Sequence, residues 1–501
     1  MKKKLIIGIV IAVLLILIIP IPVGVYKDGG TRVYQAFTYK IVKWNRLTDM
    51  GTYSNIRVYP FPKSMLSIDE LWELEKDTFV MCGDEPVVGP DLGDARYDDA
   101  YMVDVPNYTA AVNLMKTVKP REVVKKAADN EFVESQMKFA LDLLKQTVTG
   151  KENVLISPLS ISAALAMTAN GAGGDTLVGM ENVIADKLGI DKLNEYLSAY
   201  LDSLPVDDKC KVKIANSIWI RDDERLTVNQ EFLQTNADYY RAGVYKAAFD
   251  NSTLKDINTW VEDNTDGLIK NILDEIPDDA VLYLINTLLF DAEWQAKYRK
   301  GIEVLDGTFT AADGTKENAS MMYSVELQYI EGENVTGFMK DYRGGYKFVA
   351  LLPKEGLTVE DYIASLNEET LSRLISNPEK AVVETYLPKF EYEYNILLND
   401  VLKALGMDDA FDSTKADFKN IAVSSRGNIY IGRVLHKTFI DLNEDGTKAG
   451  AATVVEMIEE CGIAHVENGK KVVLDRPFVY MIVEGETGLP LFTGVVTSVT
   501  E

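Results

Sequence analysis

Histidine is almost absent from this 501-residue chain, which has two, His436 and His465, and only three cysteines, Cys82, Cys210 and Cys461. A Ser-His-Asp site needs an imidazole held between a nucleophile and a carboxylate, so the material for one is scarce. Neither a GxSxG elbow nor an HExxH helix occurs. Cys461 and His465, four apart, are the one nucleophile–base pairing on offer, and no carboxylate held in a core stands near them to orient the ring. The cysteines show no CxxC and no Cys/His metal spacing, so neither a disulfide framework, a metal site nor a cofactor is expected. Basic residues are also short: 52 Lys and Arg stand against 77 Asp and Glu, a net charge of −25. That balance argues against nucleic acid as a partner and reads as a solubilising surface. No internal repeat or long low-complexity tract is present, and 47% hydrophobic residues suffice for a large core.

There is one long hydrophobic run. In "MKKKLIIGIVIAVLLILIIPIPVGV" three lysines precede an apolar stretch from Leu5 to Val25, about the length that crosses a bilayer as a helix. It ends in Ile-Pro-Ile-Pro-Val without a small-residue cleavage site, which favours an uncleaved transmembrane anchor over a cleaved signal helix. The lysine flank places the tail inside and the rest outside. Residues 1–25 are therefore expected to join the chain to the cell membrane in a single pass with an extracellular remainder, or to direct secretion if removed. So few cysteines in an exported chain suit a bacterial surface. Residues 26–129 are irregular, with "KDGGTRVYQAFTYKIVKW" alternating like a strand, and read as a small membrane-proximal segment.

From 130 the pattern sharpens. Val133, Met137, Ala140 and Leu144 fall on one helical face. "ENVLISPLSISAALAM" then passes from a short buried strand into an Ala-rich helix, with Ser157 at its N-cap and Pro158 at its first position. "VLYLINTLLF" and "GGYKFVALLPKEG" have the make-up of central strands, and the mixture predicts an α+β domain over 130–501.

Several segments of this domain, in this order, resemble the serpin family. They are "NVLISPLSISAALAM", "INTWVEDNTDGLI", "LINTLLFDAEW", "FTAADGTKENASMM", "YLPKFEYEYNILLNDVLKALGM", "VLHKTFIDLNEDGTKAGAAT" and "LDRPFVYMIVEGETGLPLFTGVV". The resemblance implies three β-sheets, eight to nine helices and an exposed reactive-centre loop over about 444–471. It implies a monomer that traps a serine protease and is not an enzyme. His436, in an apolar setting, reads on its own as a hydrogen-bonded core residue. The resemblance adds that His436, Ser157, Ser160 and Asn286 match the polar "shutter" under the main sheet, and that Trp294 matches the "breach" where a new strand first enters. Asn258 and Gly267 match a helix motif with a structural role.

The stretch 444–469, "EDGTKAGAATVVEMIEECGIAHVENG", is where function is expected. Taken as a strand, one face carries Thr447, Ala449, Ala451, Thr453, Val455 and Met457, all uncharged; Lys448 and Glu456 fall on the other. Small residues suit a segment that slides between two strands already in place. Serpins work in this way: a protease attacks the loop and forms an acyl-enzyme, and the freed loop inserts into the main sheet, carrying the protease away before water can release it. Roughly 17 residues at about 3.3 Å each would move it roughly 55 Å. A charge or a proline among the first inserting positions would oppose this. The hinge here, Glu444, Gly446, Thr447, Ala449, Gly450, Ala451, Ala452 and Thr453, resembles that of inhibitory members, with Lys448 a departure on the charge-tolerant face. The family's spacing from Glu444 makes Glu460 the scissile residue and Cys461 the next, favouring a Glu-specific protease. The interval to Pro477 is longer than usual, so Glu459, Ala464 and Val466 stay open, with a subtilisin- or elastase-like protease as competitor. From a different class, a non-inhibitory binding or adhesion protein on the same scaffold remains the alternative.

Overall fold

The spacing of Val133, Met137, Ala140 and Leu144 becomes helix α1 (Asn130–Thr147), with all four side chains buried. Asp129 caps it, its carboxylate accepting from the Phe132 amide at 3.2 Å. The structure, a computed structural model, describes residues 111–222, 226–277, 281–424, 428–448 and 469–500, with 21–25, 32–35, 39–48, 51–60, 67, 68, 71 and 72 nearer the N-terminus. The chain forms two units, Met1–Asp104 and Val105–Glu501.

The first unit contains an antiparallel meander of β1 (Ile21–Val25), β2 (Arg32–Gln35), β3 (Tyr39–Thr48) and β4 (Gly51–Pro60), paired in sequence order. Val33 and Val42 pack with Ile68 and Leu71. Strand β1 corrects the reading of the N-terminus. Its residues end the apolar run in which a transmembrane or signal helix was expected, yet they are extended and paired with Arg32–Gln35. Proline lacks an amide donor and its ring clashes with the preceding helical turn, so Pro20 and Pro22 oppose a helix through this point. An edge strand tolerates proline, and β1 is an edge. Among the described residues no helix is long and apolar enough to cross a membrane, and residues 1–20 lie outside them. The expected anchor, the membrane as partner, and the single-pass or secreted placement with an extracellular domain are withdrawn with it.

The second unit has three sheets and, among the described residues, nine α-helices. The main sheet runs β17 (Phe390–Leu397), β19 (Arg433–Leu442), β20 (Gly446–Lys448), β11 (Leu282–Glu293), β8 (Cys210–Arg221), β10 (Gly243–Ala247) and β5 (Val112–Asn113), with β7 (Val206–Asp207) paired to β8. The second sheet runs β21 (Lys470–Val473), β16 (Glu379–Pro388), β13 (Lys316–Glu331), β14 (Val335–Asp341), β15 (Tyr346–Pro353), β22 (Phe478–Glu484), β23 (Pro490–Val496) and β6 (Val154–Ile156), with β12 (Val304–Thr310) on β13. Strands β9 (Leu226–Val228) and β18 (Ala422–Ser424) form a small pair.

The first nine residues of β11 are all buried, as a strand covered on both faces requires. Helix α2 (Pro158–Ala169) is buried along its whole length. Beyond α3 (Gln230–Tyr240), helix α4 (Asn251–Asn264) sets Ile257 and Val261 against Trp219, Tyr283 and Ile285 of the sheet. Asn258 closes the turn after α4: its amide nitrogen donates to the Leu273 carbonyl at 2.9 Å, and its oxygen accepts from the Ile272 amide at 2.9 Å. Gly267 has φ of +82°, which a glycine adopts without strain.

Candidate functional site

Two central strands of the main sheet, β11 and β19, are neighbours that part at one end. They pair in parallel from Tyr283 with Arg433 to Asn286 with His436. Beyond Leu442 the chain turns at 443–445 and comes back as β20, antiparallel to both. Thr447 sits opposite Ala292 on one side and Leu442 on the other. The register that joins β11 to β19 lower down also aligns Ala292 with Leu442, so β20 opens the strands as a wedge without shifting them. Gly446 is suited to this place: a Cβ there would lie 2.1 Å from the Ala292 carbonyl oxygen.

The wedge is held from below. Thr447 is 3% exposed and its hydroxyl bonds that of Tyr342, whose ring stacks on Trp294 at 4.1 Å. Trp294 is fully buried; its indole Nε1–H donates to the Asn443 carbonyl at 2.8 Å and its amide to the Asp445 carbonyl at 3.0 Å. Lys340, itself buried, lies 4.4 Å from the Tyr298 ring centre and pairs with Glu326 at 2.8 Å.

Glu444, at the turn, pairs with Lys389 and, at 3.0 Å, with Lys300. Burial alone would raise its carboxyl, but hydrogen bonds from Lys389 and Lys300 hold it down at about 2. The turn is therefore anchored by charge on one side and by Trp294 on the other.

A polar cluster lies beneath the strands where β11 and β19 still pair. The Ser157 amide donates to His436 Nε2 at 3.1 Å, which fixes that nitrogen as an acceptor. Nδ1–H then donates to Asn286 Oδ1 at 2.8 Å, and Asn286 Nδ2 donates to the Ser160 carbonyl at 2.8 Å and to the side chains of Ser160 and Asn216. All of these groups are buried. Burial pushes the imidazole down to about 3, so the ring is neutral, as both of its hydrogen bonds require.

A pH dependence follows. The unfolded chain protonates His436 below its ordinary value of 6.5 while the folded chain does not, so stability is full above that value and falls on acidification by ~1.4 kcal/mol per pH unit. Glu444 adds its own loss only below 4.5. Urea unfolding from about pH 7 to 4.5 is expected to show this slope in the wild type and to lose it in His436→Gln; equal slopes would contradict the assignment.

The structure thus brings Ser157, Ser160, Asn286 and His436 into one network, and Glu444, Gly446, Thr447 and Trp294 into another. Hinge positions Ala449, Gly450, Ala451, Ala452 and Thr453 lie outside the described residues, as do Glu459, Glu460, Cys461, Ala464, His465 and Val466. Among the described residues no group of three His, Cys, Asp or Glu could hold a metal ion. Sequence reasoning missed Asn216, Tyr342, Lys300, Lys340 and Lys389. Asn216 carried a signal, as a polar residue within the apolar strand "KIANSIWI"; the lysines and Tyr342 meet the site only through distant pairings.

Comparison with known proteins agrees with this geometry. The family model described as serpin (serine protease inhibitor) matches residues 134–499. An uncharacterized serpin-like protein of Thermococcus kodakarensis is 30% identical over 380 residues, covering 74% of this chain and 87% of that protein. Neuroserpin of Homo sapiens is 31% identical over 366 residues, covering 68% and 85%. The native-state crystal structure of tengpin, a thermophilic serpin, aligns with a TM-score of 0.74 and 46% identity over 78% of this chain and 100% of that one. Related serpins come from archaea, animals and plants, and the expected bacterial source is withdrawn, since these relatives lend it no support. With a family model spanning well over half of its length and relatives of this extent, the chain belongs to the serpin family.

Proposed function

We propose that this serpin inhibits a serine protease by covalent trapping, with cleavage near Glu460–Cys461 and insertion of the freed hinge between β11 and β19. Serpins inhibit proteases as single-use substrates and are not enzymes. The observation that carries the reading for this chain is the wedge: Gly446 and Thr447 already pair at the point where β11 and β19 part. Thr447, first residue of the uncharged face, points into the core, which sets the phase for Ala449, Ala451, Thr453, Val455 and Met457 to follow. No proline interrupts the segment before Glu460. In this reading Ser157, Ser160, Asn286 and His436 form the latch that the advancing strand must pass, and Trp294 orders its point of entry.

The test is incubation of the whole chain with subtilisin, pancreatic elastase and a glutamyl endopeptidase, with SDS gels for the complex and mass spectrometry for the cut. The expected result is an SDS-stable complex with one of them and a cut at Glu460 or Cys461. Cleavage between Gly450 and Thr453 would be inactivating nicking. Cleavage at the expected bond without complex would overturn the proposal in favour of a non-inhibitory binding protein.

A further inference from the structure

We propose that the outer face of the second sheet, beside the strand into which the loop returns, is a docking surface for the same protease that the loop traps; this rests on the inhibitory reading above. Three aliphatic side chains stand together there: Val325, Leu327 and Val382 are 40%, 68% and 39% exposed. Strands β13 and β16 place them side by side. Val325 pairs with Glu384, and a bulge between Glu326 and Gln328 sets Leu327 beside the 381–382 segment, a device that turns a side chain outward. Tyr386, half-buried, continues the strip, its ring packed 5.2 Å from that of the buried Tyr323. The alternate residues Val383, Thr385 and Leu387 fill the core, so the strand has already buried its inner face, and the outer face carries aliphatic groups where polar ones are the rule.

The position of the strip identifies its occupant. Strand β21 receives the chain at the end of the loop and pairs in parallel with β16, Lys470 opposite Val383 and Lys471 opposite Glu384. The loop's downstream leg therefore lands at the strip. From Cys461 to Lys470 the chain spans at most about 30 Å, and a protease of about 230 residues has a radius of gyration of about 17 Å. A protease held at Cys461 is therefore within reach of this face. The charge pattern gives the partner's chemistry. In a chain of net charge −25, Lys380 and Lys471 stand on this face, Lys471 Nζ lying 4.9 Å from the Tyr386 ring centre. Glu384, opposite Lys471, offsets them only in part. The surface fits a protease face that presents an apolar patch fringed by carboxylates.

Leu327→Ser/Val382→Ser and the wild type should be compared with whichever of subtilisin, pancreatic elastase and glutamyl endopeptidase forms the complex fastest. Both substitutions are on exposed side chains, so the thermal midpoint should stay unchanged. The second-order rate of complex formation is expected to fall about tenfold, with cleavage site and stoichiometry unaltered. Lys380→Glu/Lys471→Glu should slow it further, most at low salt. Rates within twofold of wild type, beside a wild type that does form complex, would overturn the docking surface and leave the inhibitory reading standing. A wild type that forms no complex with any of the three would overturn the inhibitory reading and this surface with it. A wild-type dimer that the double variant abolishes, at unchanged rate, would show instead that the face is covered by a second copy.

Discussion

Thr447→Arg is expected to turn the inhibitor into a substrate: the loop is still cut at the same bond, and no SDS-stable complex accumulates. Thr447 is closed in by Ala292 on one side, Leu442 on the other and Tyr342 beneath. An arginine at this place must either bury a guanidinium over the Trp294–Tyr342 stack or pull β20 out from between the strands. Burying an unpaired charge costs several kcal/mol. Insertion competes with deacylation of the acyl-enzyme, and each ~1.4 kcal/mol added to the insertion barrier shifts that competition about tenfold. The cut itself is unaffected, because the bond that breaks lies well beyond the hinge. Thr447→Val, which loses the hydroxyl but keeps the face apolar, should still form complex. An arginine variant that traps protease as well as wild type would sink the insertion mechanism for this chain.

The second large effect is on stability. Cutting the loop downstream of Met457 is expected to raise the thermal midpoint by about 10 °C, which for a domain of this size takes ~8 kcal/mol. Among the described residues β20 comprises Gly446–Lys448, and β11 and β19 pair directly from Tyr283 with Arg433 to Asn286 with His436. Residues added after Lys448 gain a ladder on both sides, and the face led by Thr447 brings Val455 and Met457 to buried positions, each contributing about 1.5–3 kcal/mol. In the uncut loop the far end is tied into β21, and that pairing opposes the move. A nicked chain with an unchanged midpoint would mean that the loop stays outside the sheet.

Local chemistry made much of the second unit legible. The helical spacing from Val133 gave α1, the Ser-Pro pair gave the start of α2, and the largely apolar run at 282–290 gave β11. The gathering of Ser157, Asn286 and His436 depends on strand pairing between residues 150 apart, which no spacing reports; only resemblance to a family linked them. Lys300 and Lys389 remained invisible for the same reason, since a lysine reads as solvated surface until a buried Glu444 is placed beside it. The N-terminus failed differently. Length and hydropathy of the first 25 residues suggested a membrane helix, but two prolines weighed more at the end of the run, and Ile21–Val25 became an edge strand.

The midpoint reports a consequence of insertion; amide hydrogen exchange in residues 449–458 reports insertion itself. The measurement compares the intact chain with the same chain after cleavage near Glu460. Strand insertion between β11 and β19 requires these amides to pass from rapid exchange to protection as deep as that of β11. Rapid exchange in both forms would contradict the account, because it would leave the freed hinge in solvent and the protease with nothing to hold it.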